Sequence, residues 1–318
     1  MYMWSHVMKK FDVVAVGSGT VDIIFKVPRL PGNDDKVVGK KIAEMVGGTV
    51  ANSACVMGKL GVKVTSLSTV GNDHYAQMII DDFRRNNVDT RFVQYKDGID
   101  ANMAIIFIDN SGEKALVYAP NNETETSMVQ AKEAISLSKA VYIMPAQLEK
   151  FRVLARYAKE KNTEVIVDIE SHIKNSHQNI NEILNLSDIA IFNKDGFRSS
   201  LQKEPEKFFL RNLVEKFNLK TLVVTCGSNG VIACNCNSYV SYPGYKVPVV
   251  DTTGAGDTFN GAFIYCYLND YDLQEAITFA SAAAAINISW PGARGKISTR
   301  DEVEAFIASN NNHLSGGT

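Results

Sequence analysis

Apolar positions along the chain follow two regimes. In the first, Phe11 to Val16 is a short apolar run closed by Gly17, the mark of a buried strand. Alternating segments follow at Ile23 to Val27, Val37 to Met45, Met103 to Ile108 and Ala115 to Tyr118. Turn-forming pieces, Pro31-Gly32-Asn33-Asp34 and Asp109-Asn110-Ser111-Gly112, separate them. Helical spacing occupies Val50 to Leu60 and His74 to Asn86. In the second regime, helical segments (Val129 to Ser138, Leu148 to Lys161, Glu206 to Phe217) alternate with apolar strands. Those strands are Ala140 to Ile143, Val165 to Asp168, Ile189 to Phe192 and Thr221 to Thr225. Such alternation predicts a parallel sheet covered by helices on both faces.

The early strands lack helices on both sides and are expected to form a small antiparallel sheet projecting from the core. The fold class is therefore α/β, a three-layer core with a central, mostly parallel sheet plus a small β lid. Its domain is expected over residues 8–308, with the lid built from about 22–46 and 91–120, and residues 1–7 and 309–318 as disordered ends. Ligands bind such folds at the carboxyl ends of the parallel strands, where a lid excludes water.

Composition narrows the classes. The 318 residues are 45% hydrophobic and 21% charged, with a formal net charge of -2. No Lys/Arg block indicates a nucleic-acid partner. No apolar stretch approaches the roughly 20 residues that span a bilayer, and residues 1–10 lack a signal-peptide pattern, so a cytoplasmic protein is expected. Five scattered cysteines do not read as a disulfide framework. Cys234-Asn235-Cys236 has no second ligand pair for a metal.

The strongest chemical signal is the run Asp251-Thr252-Thr253-Gly254-Ala255-Gly256-Asp257-Thr258-Phe259-Asn260-Gly261-Ala262. Its glycines permit a tight turn into a helix that continues to Leu268. The amides of Gly254, Ala255, Gly256 and Asp257 then form an anion-binding nest at the positive helix end. Asp257, at the mouth of the nest, is placed to accept the proton of an attacking hydroxyl, and phosphoryl transfer asks for little more. The plainer alternative is that Asp257 caps the helix.

This segment resembles the C-terminal signature of the ribokinase family, also called the PfkB carbohydrate kinases. Val16-Gly17 with Asp22, Gly47-Gly48-Thr49-Val50-Ala51-Asn52, Thr225-Cys226-Gly227-Ser228-Asn229-Gly230 and Pro291-Gly292-Ala293 resemble other family segments, in order. The resemblance runs from about residue 11 to 308. It implies an ATP- and Mg²⁺-dependent kinase acting on a hydroxyl of a sugar or sugar-like molecule. Asp257 is then the base, with Gly254, Ala255 and Gly256 as anion hole. Asp22, Gly47, Gly48 and Asn52 bind substrate, and Asn193, Thr225, Gly227, Gly230, Ala284 and Asn287 line the nucleotide site. Asp251 and Thr253 match a monovalent-cation site, which the Lys296 ammonium is expected to occupy or weaken.

The pattern departs from the family at Asn193-Lys194-Asp195-Gly196, which keeps the Asn of Asn-x-x-Glu and lacks its Glu; Asp195 lies one residue early. Thr49-Val50 in the substrate loop favours an acceptor other than ribose, and Gln147 and Glu149 are both placed to approach it. Two alternatives stand beside the sugar kinase, a nucleoside kinase of the same family and a non-catalytic sugar- or nucleotide-binding protein. A dinucleotide fingerprint at Gly17-Ser18-Gly19 fails, because Asp22 stands where its third glycine belongs. No Gly-Lys pair has Walker spacing. A homodimer through the lid is expected.

Overall fold

The computed structural model describes residues 8–121, 126–171, 173 and 179–314, with side chains described through 310. Its main sheet has nine strands in the order β13-β12-β11-β10-β9-β8-β1-β4-β5. These are β1 Phe11–Val16, β4 Val64–Val70, β5 Val93–Tyr95, β8 Ser138–Ile143, β9 Glu164–Ile169, β10 Ile189–Asn193 and β11 Thr221–Thr225, then β12 Val231–Cys234 and β13 Tyr239–Tyr242. Pairing is parallel from β5 to β11, and only β12 and β13 run antiparallel.

The strand period of two sorts side chains between two cores. Val13, Ala15, Tyr142, Ile166 and Ile191 face one, packed by α1 Thr49–Lys59, α2 His74–Arg85, α8 Ala255–Leu268 and α9 Leu273–Asn287. Val14, Val16, Val141, Val167 and Phe192 face the other. That side holds α3 Met128–Ser136, α4 Leu148–Glu160, α5 Ile180–Asn185, α6 Lys194–Leu201 and α7 Lys207–Phe217. Helix α8 is buried continuously from Asp257 to Cys266, as expected of a helix apolar on every side. Asp73 caps α2, accepting from Ala76 N at 2.7 Å, and Asp272 with Glu275 forms a capping box on α9.

The lid is a second sheet of β2 Thr20–Lys26, β3 Lys40–Gly47, β6 Met103–Ile108 and β7 Lys114–Ala119, in the order β3-β2-β6-β7. Each hairpin, β2–β3 and β6–β7, is antiparallel, but the seam β2–β6 is parallel. The reason is topological: both hairpins leave the core in the same direction, separated by a crossover through α1, β4, α2 and β5. Residues 91–102 do not belong to the lid as expected, since Val93–Tyr95 adds to the main sheet beside β4. The tail expected to be disordered from 309 is helical to the end of α10, Arg300–Leu314; residues 1–7 and 315–318 lie outside the described residues.

Gly58 shows how closely α1 is packed. A Cβ there would lie 2.1 Å from the Asn86 carbonyl oxygen. In an open helix Gly→Ala stabilises by about 1 kcal/mol, whereas overpacking costs about 1–3 kcal/mol. Gly58→Ala is therefore expected to lower Tm by several degrees in calorimetry, and an unchanged or raised Tm would contradict this packing.

Candidate active site

The cleft between the lid and the carboxyl ends of β1, β8, β9, β10 and β11 has a volume of about 1360 Å³. The lid contributes Asp22, Gly47, Leu116 and Tyr118 to its walls, and the core contributes Gly48, Asn52, Asn102, Gln147, Glu170, Asn193, Asp195, Thr225, Gly227 and Gly254 to Asp257. Most of the residues singled out from sequence thus meet in one cavity.

Gly254 starts α8 with φ 77, and a Cβ on it would lie 2.7 Å from Ala293 Cα, so both conformation and space require glycine. The first intrahelical bond of this turn runs from Thr258 N to Gly254 O at 2.8 Å. Ala255 N–H turns back to Thr252 O at 3.3 Å, leaving the Gly256 and Asp257 N–H groups outside the helical ladder. Gly256 lines the cleft and meets nothing within 4 Å on the Cβ side.

Asp257 is buried in the first turn of α8. Asn52 Nδ2 donates to its Oδ2 at 2.5 Å, and Ser53 Oγ donates to its backbone oxygen at 3.0 Å. Burial pushes its carboxyl up to about 7; the Asn52 hydrogen bond and Arg294 oppose this, and Glu170 reinforces it. Behind it, Tyr142 OH donates to Asp168 Oδ2 at 3.1 Å and accepts from Asn260 Nδ2 at 3.2 Å. Burial, with Glu170 and Asp257 nearby, holds Asp168 well above the usual carboxylate range. Oxygens of Asp168, Glu170 and Asp257 lie within 4.8 Å of one another.

Asp22 is displayed on β2 beside Gly47, whose Cβ would come within 3.0 Å of Asp22 Oδ2. Burial raises the Asp22 carboxyl to about 6, with Arg294 opposing. Gly48, φ 102, lets the chain pass Ser18 O into α1. On the other side of the cleft, Asn193 Oδ1 caps α6, accepting from Gly196 N at 2.6 Å. A Cβ on Gly196 would lie 2.5 Å from Ile169 O, so no side chain fits at that position.

Three of the expected nucleotide residues stand outside the lining of this cleft, and the expectation for Lys296 is corrected. Asn287 does not line the cleft: it is buried, and its Nδ2 donates to Ala293 O at 3.1 Å and Lys296 O at 3.3 Å, holding the loop before α10. Ala284 packs against the core on the same helix. Gly230 is a turn residue, φ 88, pressed so close to Tyr242 O that a Cβ would lie 2.0 Å away. The Lys296 ammonium does not enter the cation site but pairs with Glu302. The ammonium nearest Asp251 is that of Lys114, from the lid, at 4.0 Å. Asp251 accepts from Thr253 N (3.0 Å), Thr253 Oγ1 (2.7 Å) and Gly292 N (2.9 Å), so its carboxylate works as a loop clasp. Glu149 is turned outward to Arg152, while Gln147 stays in the cleft.

Sequence reasoning missed Ser53, Tyr142, Glu170, Asn260 and Arg294. Asp168 was legible only as a carboxylate closing an apolar strand, itself a signal of a buried functional acid.

A buried carboxyl beside helix-terminal amides, facing polar groups under a lid, suits an enzyme that transfers a phosphoryl group to an alcohol. The chain belongs to the pfkB family of carbohydrate kinases, whose family model matches residues 10–300. It is similar to ribokinase of Haemophilus influenzae, 27% identical over 304 residues covering 93% of this chain and 98% of the relative. Among solved structures it is similar to Arabidopsis thaliana ribokinase complexed with ribose and ATP (TM-score 0.80, 22% identity, 93% of this chain and 98% of that one). It is also similar to Methanocaldococcus jannaschii nucleoside kinase (TM-score 0.78, 22% identity, 95% and 99%).

The raised Asp257 carboxyl has two consequences with opposite signs. If this carboxyl accepts the acceptor's proton, as proposed below, it must be ionised, and kcat/KM for the acceptor, which reports the free enzyme, is expected to rise with pH through about 7. Stability runs the other way. The contribution of a raised carboxyl is complete below the ordinary value of 3.8 and is lost as pH rises through about 7. Asp257→Asn is therefore expected to raise Tm relative to wild type at about pH 8 and much less at about pH 4; equal differences at both would contradict a buried, raised carboxyl.

Proposed function

We propose that this enzyme transfers the γ-phosphoryl group of ATP to a hydroxyl of a sugar, with Asp257 as general base. The observation that carries the reading is the position of Asp257. It is buried between the open amides of Gly256 and Asp257 and the polar groups of Asn52 and Asp22, all in one cleft.

The acceptor lies between lid and core, with Asp22, Asn52 and the Gly47-Gly48 backbone on its hydroxyls. Its reacting hydroxyl donates to Asp257, which takes the proton as the oxygen attacks phosphorus. The amides opening α8 hold the charge that accumulates on the phosphoryl oxygens. Thr225 and Gly227, with Asn193, line the nucleotide half. The lid keeps water from competing as acceptor.

Mg²⁺ accompanies the nucleotide and supplies charge neutralisation at the phosphates. The donor set fits it: Glu170 and Asp195 line the cleft beside Asn193, and Mg²⁺ takes carboxylates directly or through water. With no room for a side chain at Gly196, these two carboxylates stand in for the Glu of Asn-x-x-Glu. Asp251, already holding three donors, is poorly suited to a monovalent cation.

The lid leaves β3 and β7 as free edges, and Ile42, Val117 and Tyr118 are exposed on it. A second copy pairing lid to lid would cover them, so the enzyme is read as a homodimer. Free cysteines, and the lack of a membrane-crossing helix among the described residues, accord with the cytoplasm. A nucleoside acceptor is the second reading, favoured by Leu116 and Tyr118, which offer an apolar and aromatic wall from the lid.

ADP release with MgATP, measured against D-ribose, 2-deoxy-D-ribose, D-fructose and adenosine, decides between them. A sugar is expected to raise the rate at least about 100-fold over ATP alone, with a sugar phosphate formed in equal amount. Stimulation by adenosine alone would move the function to nucleosides. Binding of ATP and sugar without acceptor-dependent ADP would overturn the kinase reading in favour of a binding protein.

A further inference from the structure

Arg294 is nearly sealed from water, with 6% of its side chain exposed. Its guanidinium reaches three elements at once. Nε donates to Asn52 Oδ1 on α1 at 2.7 Å, Nη2 donates to Gly47 O at the end of β3 at 2.9 Å, and Nη1 pairs with Asp82 on α2. The group also lies 5.9 Å from the ring centroid of Phe83. A buried ion pair is weak evidence for stability, because desolvation offsets the attraction. The reason for this one is better sought in what it holds.

What it holds is the orientation of an amide. Asn52 can present either NH₂ or C=O to Asp257, since the two ends have nearly the same shape. Only the NH₂ end donates to a carboxylate; the other would set two acceptors face to face. Asn52 Oδ1 takes the Arg294 Nε–H, and this turns Nδ2 toward Asp257 Oδ2, 2.5 Å away. One Asp257 oxygen is thereby occupied and the other is left for the acceptor. The same fork grips the Gly47 carbonyl in the substrate loop. Arginine suits this task because its donors point in fixed directions, while a lysine ammonium is a single compact donor group.

We propose that Arg294 is the positioning residue of this kinase: its guanidinium fixes the Asn52 amide, and through it the reactive orientation of the Asp257 carboxylate, while registering the Gly47-Gly48 loop against the base. The inference rests on the reading of Asp257 as the base. Arg294 touches neither Asp257 by a hydrogen bond nor the reacting atoms; it acts through Asn52.

A substrate-free readout tests the placement. In full-length protein labelled with ¹⁵N-asparagine, the Asn52 side-chain NH₂ pair is assigned by its loss in Asn52→Ala. One of its protons is expected to be shifted downfield and protected from exchange in wild type. In Arg294→Met that shift is expected to collapse and exchange to accelerate by at least about tenfold, with partial recovery in Arg294→Lys. An unchanged Asn52 resonance in Arg294→Met overturns the proposal.

Turnover supplies the second arm, with MgATP and whichever of D-ribose, 2-deoxy-D-ribose, D-fructose or adenosine wild type phosphorylates fastest. Arg294→Met is expected to lower kcat by about 10- to 100-fold through misplacement of the base, with KM for MgATP within about twofold. In an Asn52→Ala background the same change is expected to cost less than about threefold more. Equal losses in both backgrounds mean that Arg294 does not act through Asn52, and overturn the proposal. Should Arg294→Met leave Asp82 too costly to bury, Asp82→Asn with Arg294→Met removes the stranded charge and carries both comparisons. A wild type inactive toward every acceptor removes the kinase reading, and the resonance measurement then decides the placement alone.

Discussion

Burying Asp257 in the first turn of α8 takes a carboxyl group out of water, and the surrounding contacts answer that burial. Moving a charge into such a site is expensive unless hydrogen bonds and fields replace the lost solvation. Asn52 gives one hydrogen bond to the carboxylate, the start of α8 contributes its positive end, and Arg294 adds a cation one residue removed. Glu170 acts against ionisation. The balance leaves a carboxyl titrating near neutrality, the range that suits the proposed general base. The adjoining amides of Gly256 and Asp257 are kept open for an anion by the left-handed turn at Gly254.

The fold follows from the need to bring these groups together and then dry them. Asp22 comes from the lid, Asn52 from α1, Glu170 from the end of β9 and Asp257 from α8, so no short segment contains the site. The sheet delivers their supporting strands to one edge, because parallel strands all end on the same side. Two hairpins leave that edge and join along the parallel seam β2–β6. Through that seam the lid hangs over the cleft from two points of the core, at 20–47 and 103–119. Lys114 on the lid approaches Asp251 on the loop before α8, a further contact between lid and core.

Much of this was legible in the sequence, for local reasons. The strands of the main sheet are apolar runs, and their alternation with helices announces the α/β class. The Gly254 to Asp257 turn is readable because its chemistry is contained in four consecutive residues. Gly47 and Gly48 were legible only through the family resemblance; the carboxylate and backbone carbonyl that crowd them appear in the structure. The β2–β6 seam was not legible, since hairpin sequences report their own pairing and nothing of their neighbour. Asn287 and Ala284 were hard to place, because the face of a small-residue helix toward a ligand and its face toward the core have the same composition. Lys296 misled because sequence position does not say where a long side chain turns, and Glu302 claims it. Arg294 was invisible, since its partners Gly47, Asn52 and Asp82 lie more than two hundred residues away.

The most direct test of the account is single-turnover phosphoryl transfer by Asp257→Asn beside wild type, with acid-quenched mixtures of enzyme, MgATP and the acceptor sugar. The account predicts a fall in the transfer rate of about 10²- to 10⁴-fold, with ATP and sugar affinities retained within about threefold. A transfer rate in Asp257→Asn equal to that of wild type would contradict it, because Asp257 is the carboxylate in the first turn of α8.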